Sequence, residues 1–135
     1  NADRVMIWDL SGGITDGANA TYMLGQTVAT SVASGLSQSR FNWAKDVAFD
    51  STHNVLWVAD YNNNRIMGFG MGGTITNGMN AAYVIGQATY TSNSSHDAST
   101  TKALTSDAPT GLTMGPGGRL IVVSQNDDRV QIIGP

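Results

Sequence analysis

Displaced by 61 residues, the sequence falls on itself. Arg4 to Gln26 then aligns with Arg65 to Gln87 without a gap, and 11 of the 23 positions are identical. Chance would give about one or two, so the segments are copies, and repeats of this period build arrays of stacked supersecondary units. The matches include Arg4 with Arg65, Gly12 with Gly73, Tyr22 with Tyr83, and Gly25-Gln26 with Gly86-Gln87. A displacement of 64 extends the series to a third copy, laying Leu56 on Leu120, Val58 on Val122, Arg65 on Arg129 and Asn63-Asn64 on Asp127-Asp128. Asp60 then falls on Ser124. A chain built this way folds as a row of similar units, each covering the apolar face of its neighbour.

Within a unit, short runs of β-branched, aliphatic and aromatic residues are separated by turn formers, which describes antiparallel strands joined by hairpins. Four strands are expected per unit. Strand a is Asp46–Phe49, then Gly111–Met114; strand b is Val55–Ala59, then Leu120–Ser124. Strand c is Arg4–Trp8, Arg65–Phe69 and Arg129–Ile133; strand d is Thr21–Leu24 and Ala82–Ile85, each ending in Gly-Gln. The connectors from d to a (Thr27–Lys45 and Ala88–Thr110) are long and rich in Ser, Thr and Ala. Loops of that length commonly carry function, so a ligand surface is expected there.

Composition narrows the classes. Charged residues are 13% of the chain and glycines number 16, against roughly 25% charged in an average protein. The seven Lys and Arg are scattered singly and the net charge is −3, so no basic stripe faces a phosphate backbone and nucleic acid is not an expected partner. No apolar run approaches membrane-spanning length. Cysteine is absent, which removes disulfides and thiolate metal sites. Abundant Ser, Thr and Asn with few Lys suit an extracellular or cell-surface setting.

Several stretches carry a family resemblance. Ala44-Lys45-Asp46-Val47-Ala48-Phe49-Asp50, Leu56-Trp57-Val58-Ala59-Asp60 and Asn63-Asn64-Arg65-Ile66 follow one after another as in the NHL repeat, the first without that pattern's Pro and Gly, both of which Pro109-Thr110-Gly111-Leu112 keeps. The chain resembles a long-period bacterial-type variant of that family, with Tyr-x-x-Gly-Gln as its appended strand. The resemblance implies an all-β fold: a β-propeller segment of about two four-stranded antiparallel blades, repeating every 61–64 residues. Residues 1–135 then form one propeller segment, with strands c and d over 4–26, a full blade over 46–87 and a partial blade over 110–133. Nine strands do not close a ring of four to eight blades. The expected partners are therefore further blades, from a longer chain or from a homo-oligomer.

The resemblance also assigns the densest polar cluster, Asp60, Asn63, Asn64 and Arg65, to a structural turn. The carboxylate is expected to accept turn amides, and Arg4 and Arg129 to repeat the arginine's role. Outside the shared pattern, Trp43 and Tyr90 are candidate contacts for a sugar or peptide. His96 in the second insertion joins them, as do Asp46 and Asp50, which flank strand a where inner strands meet a propeller's channel. The other large aromatics, Trp8, Trp57, Phe69, Tyr22 and Tyr83, are expected to pack between blades. Two isolated histidines, His53 and His96, fall short of the three or four ligands of a zinc site. No cofactor is expected, with calcium or zinc in a propeller channel left open. No Gly-x-Ser-x-Gly nucleophile elbow occurs. The expected function is a non-catalytic binding or structural module of a secreted or cell-surface protein, its ligand protein or glycan. The alternative is part of an NHL-type lyase or hydrolase with its catalytic residues in other blades.

Overall fold

The computed structural model describes residues 3–95 and 107–134, and His96 lies outside them. The fold is all-β. Nine strands form three antiparallel sheets in chain order. The first sheet pairs β1 (Val5–Ile7) with β2 (Tyr22–Leu24). The second is a four-stranded meander of β3 (Ala44–Asp50), β4 (Val55–Asp60), β5 (Arg65–Gly70) and β6 (Tyr83–Ile85). The third contains β7 (Pro109–Gly115), β8 (Arg119–Ser124) and β9 (Arg129–Ile133). This is the architecture of a partial propeller segment. The two innermost strands run longer than their apolar cores suggested, because each begins with a bulge, between Ala44 and Val47 in β3 and between Pro109 and Gly111 in β7. A bulge adds one residue and twists the strand end.

Two apolar layers lie between the sheets. Leu24, Phe41, Val58, Met67, Phe69 and Ala81 form the first, with Val5 and Ile7 of β1 packed against it. Ala48, Ala59, Ile66, Leu112, Leu120 and Val122 form the second, with Trp57 and Met114 at its margin. Side chains alternate between strand faces. Thus Val58 and Met67 of the second sheet meet the first sheet, while Ala59 and Ile66 meet the third. Each fully buried large side chain contributes about 1.5–3 kcal/mol.

Phe69 fulfils its expected packing, edge-on to Phe41 at 5.7 Å between ring centroids. Trp57 lies against Tyr83, whose outer side is exposed. Trp8 differs from expectation. It is about half exposed and donates its indole N–H to the Ala18 carbonyl.

The Gly-Gln endings have a physical reason. Gly25 has φ +87°, and a Cβ there would lie 2.5 Å from the Asp3 carbonyl oxygen and from the Phe41 ring. Gln26 donates its amide to the carbonyls of Asp3 and Ala33. Gln87 repeats both bonds one unit later, to Asn64 and Ser94. The same pairs recur displaced by 61, so the duplication holds at the level of single hydrogen bonds.

Candidate functional site

The b–c turns and the d–a insertions share one edge of the segment, and two features stand there. The first is buried. Arg65 and Asp60 are both fully buried, with Arg65 Nε 2.7 Å from Asp60 Oδ2. Arg65 also donates to the carbonyls of Ser37 (3.0 Å) and Arg40 (2.8 Å) in the first insertion, and to that of Tyr90 in the second. One guanidinium therefore ties both insertions to the second blade. Its rigid fork of donors suits several fixed acceptors, which an ammonium would not match.

Asp60 accepts from Asn63 Nδ2 at 2.8 Å and from the Asn42 N–H at 2.7 Å. From its own turn it takes the Asn63 side-chain amide, and the backbone N–H it accepts, that of Asn42, comes from the segment leading into β3, so it joins two elements where a cap by turn amides was expected. Burial pushes the Asp60 carboxyl above the usual carboxylate range, against the pull of the Arg65 charge and the three donors. Asn63 also donates to the Gly35 carbonyl, and Asn64 to that of Asn93. Arg4 bonds the Ala29 carbonyl, repeating the bond of Arg65 to Tyr90 at the same separation in sequence. Arg129 is half-buried and lies beside the Asp127 carbonyl.

A latch recurs at the same edge. Asp3 and Asn64 both have left-handed backbones, with φ of +42° and +49°. Asp3 Oδ1 accepts the N–H of Trp43 at 2.6 Å, and Asn64 Oδ1 accepts that of Ala108 at 3.0 Å. The acceptor at each joint lies on one unit and the donor just ahead of the next unit's inner strand.

The second feature is exposed. Trp43 (φ +68°) is 44% exposed, with Tyr61 edge-on at 5.3 Å and Lys45 Nζ 3.8 Å from its ring centroid. Lys45 also lies 4.9 Å from the Tyr61 ring. Beside them Asn62 donates to Asn42, side chain to side chain and backbone to backbone, both at 3.0 Å. Trp43 is held at both ends, since its carbonyl accepts the Tyr61 N–H. Lys45 and Tyr61 were not among the residues singled out from sequence. The signal was present: by strand register Ala44 faces Asp60 as Pro109 faces Ser124, a displacement of 65 along the inner strand, so the corresponding positions in the third unit are Ala108, Thr110 and Gln125 and all three large groups are departures from the repeat.

The remaining candidates disperse. Tyr90 packs against the first apolar layer and gives its carbonyl to Arg65, so its ring is not an open contact surface. Asp46 accepts the N–H of Leu112 from the neighbouring sheet at 2.8 Å and that of Val47. Asp50 accepts the N–H groups of Thr52 and His53, with His53 Nδ1 at 2.6 Å. These two carboxylates are engaged with the protein's own donors. Among the described residues, no three His, Asp or Glu side chains gather in a cluster able to hold a metal.

Residues 41–69 match the family model of the NHL repeat. The match runs from Phe41 to Phe69, through β3, β4 and most of β5, and contains both features. It supports an NHL-repeat family and, with it, blades that pack against other blades. No curated protein matches the chain. No helix among the described residues is long and apolar enough to cross a membrane.

Proposed function

We propose that the chain is a non-catalytic propeller module of an extracellular or cell-surface protein, and that Trp43, Lys45 and Tyr61 with Asn42 and Asn62 contact a protein or glycan ligand. The observation that carries the reading is the break in the repeat. Where the third unit has Ala108, Thr110 and Gln125, the second has an exposed Trp and Lys and a half-buried Tyr in mutual contact. Several structural positions recur from unit to unit, as the Gly-Gln endings and the carbonyl bonds of Arg4 and Arg65 do, and these three do not. The group is also pre-organised: the Asp3 and Tyr61 bonds fix the Trp43 backbone, so little conformational freedom is lost on binding. Rigid aromatic surface beside amide and ammonium donors suits the apolar face and hydroxyls of a sugar, or a peptide with an aromatic or proline anchor.

Glycan and peptide arrays probed with the wild-type chain test the reading. Trp43→Ala is expected to weaken any specific binding by about tenfold or more, as loss of an aromatic anchor does. Tyr61→Ala should weaken it less, and Trp8→Ala not at all. A ligand bound equally by wild type and Trp43→Ala would overturn the assignment.

A further inference from the structure

We infer that the ligand of the Trp43, Lys45 and Tyr61 surface is an acidic sugar, whose carboxylate or sulfate Lys45 receives. The inference rests on reading that surface as a ligand site and adds the charge and class of what it takes.

The first observation is a difference of charge between two copies of one turn edge. In the second unit, residues 42–45 and 60–65 contain Lys45, Asp60 and Arg65, a net charge of +1. The corresponding residues 107–110 and 124–129 contain Asp107, Asp127, Asp128 and Arg129, a net charge of −2. The polar geometry is nevertheless shared. Asn62 donates its side-chain amide to the Asn42 side chain at 3.0 Å, and Asn126 donates its own to the Asp107 side chain at 3.4 Å. The acceptor is a carboxylate in the third unit and a neutral amide in the second, and Thr110 corresponds to Lys45. All these differences act in one direction. They make the second edge receptive to an anion, in a chain whose net charge is −3.

The second observation is the state of Lys45. Its Nζ lies 3.8 Å from the Trp43 ring centroid and 4.9 Å from that of Tyr61, against two rings inclined at 68°. Lys45 is exposed, and no carboxylate or carbonyl among the described residues bonds to it. The nearby Asp60 is engaged with Arg65. The rings hold the ammonium by their negative faces, which leaves its N–H donors without an oxygen acceptor. A cationic ligand would have to expel Lys45 from the rings and then lie beside its charge. An anion meets a charge already held in place, and a charge-assisted hydrogen bond is roughly twice as strong as a neutral one.

The third observation is the amide pair. Its one internal bond leaves Asn42 Nδ2 and Asn62 Oδ1 without partners among the described residues. A donor and an acceptor on neighbouring side chains suit adjacent hydroxyls, each of which can give and accept a hydrogen bond. Backbone bonds from Tyr61 to Trp43 and from Asn62 to Asn42 keep the aromatic and amide groups on one small surface. A sugar ring carries its anionic group, its hydroxyls and an apolar face on one rigid frame. An acidic peptide carries its charge on a flexible side chain, whose ordering costs affinity.

An array of oligogalacturonate, alginate and carrageenan fragments tests this with the 135-residue chain. Each fragment is printed beside its carboxyl-reduced or desulfated form, with acidic peptides on the same array. Wild type is expected to bind at least one acidic sugar, and the neutral form of that sugar about three- to tenfold more weakly. Lys45→Met should weaken binding of the acidic sugar by the same factor, while Lys45→Arg keeps the charge and most of the affinity. The two losses should not add. Lys45→Met should bind the acidic sugar and its neutral form alike, because each change removes one end of a single contact. Lys45 is exposed, so melting temperatures of both variants should match wild type, which separates a lost contact from a lost fold. Binding of no acidic sugar, equal binding of acidic and neutral forms by wild type, additive losses, or an acidic peptide bound in preference to every acidic sugar would overturn the inference. Trp43→Ala judges the ligand surface apart from its charge. A neutral glycan or a peptide that needs Trp43 but not Lys45 leaves the surface standing and removes only the acidic sugar. Binding indifferent to Trp43→Ala removes the surface itself.

Discussion

At the turn between β4 and β5 the carboxylate that receives the incoming segment is Asp60, which takes the N–H of Asn42. At the turn between β8 and β9 the place of Asp60 holds Ser124, and Asp127, three positions on, takes the N–H of Asp107 at 3.1 Å. Both joints need one acceptor facing one amide, since a buried unpaired N–H costs about 1–3 kcal/mol. They differ in what else the carboxylate must do. Arg65 is fully buried beneath two insertions and needs an anionic partner beside it. Arg129, in the corresponding place, is only half-buried. Where the arginine is sealed, the carboxylate sits next to it. Where it is half-buried, the carboxylate stands three positions on and takes the incoming amide.

The largest effect should come from the sealed arginine. Arg65→Met removes one ion pair and three carbonyl contacts and leaves Asp60 as a buried charge, for a loss of about 3–5 kcal/mol. Arg129→Met should lose about 1 kcal/mol or less, as exposed pairs do. Urea denaturation of both variants reads the difference, and equal losses would break the comparison. Moving the carboxylates sharpens it. Ser124→Asp with Asp127→Asn should stay within about 1 kcal/mol of wild type, because an acceptor remains near the same amide. Asp60→Ser with Asn63→Asp should lose about 2–3 kcal/mol, because the charge leaves its place beside Arg65.

The latch comes next. Asn64→Ala and Asp3→Ala each delete one acceptor of a backbone N–H, so each should lower stability by about 1 kcal/mol. Asp128 is exposed and its carboxylate accepts no bond from a described residue, so Asp128→Ala should leave the stability of the chain unchanged. A loss at Asp128 equal to that at Asn64 would show that this carboxylate has an internal task.

Much of this fold was legible because the repeat is. Strand order, the antiparallel meander and the Gly-Gln endings follow from residues that recur at fixed displacement. The polar cluster was legible as structural, but its partners were not. Asp60 bonds to Asn42, and Arg65 to Ser37, Arg40 and Tyr90, all across insertions whose sequence follows no period. Tyr90 and Trp43 looked alike as unrepeated aromatics. Only packing separates them, since one lies against an apolar layer and the other over a lysine at the surface. Lys45 and Tyr61 were hidden because each sits in an otherwise regular strand or turn, and their neighbour relation to Trp43 exists only in three dimensions.

The smallest effect sits at the opposite edge, in the turn after β3. Asp50 is shielded, and its carboxyl is held below the usual carboxylate range, chiefly by the His53 ring bond and also by the amides of His53 and Thr52. The matching turn of the third sheet, Gly115-Pro116-Gly117-Gly118, carries no carboxylate, so only one of the two turns should respond to acid. The sign follows from proton uptake. Unfolded Asp50 binds its proton near about pH 4, whereas folded Asp50 binds it only at lower pH. Its contribution is therefore fully present above the unfolded value and is lost as the pH falls through the folded one. His53→Ala removes the largest cause of the depression, so the stability gap between wild type and this variant should shrink as the pH falls below about 4. Denaturation midpoints of the two proteins across that window measure it. A gap that widens below about pH 4 would mean that the His53 ring acts through something other than the Asp50 carboxylate.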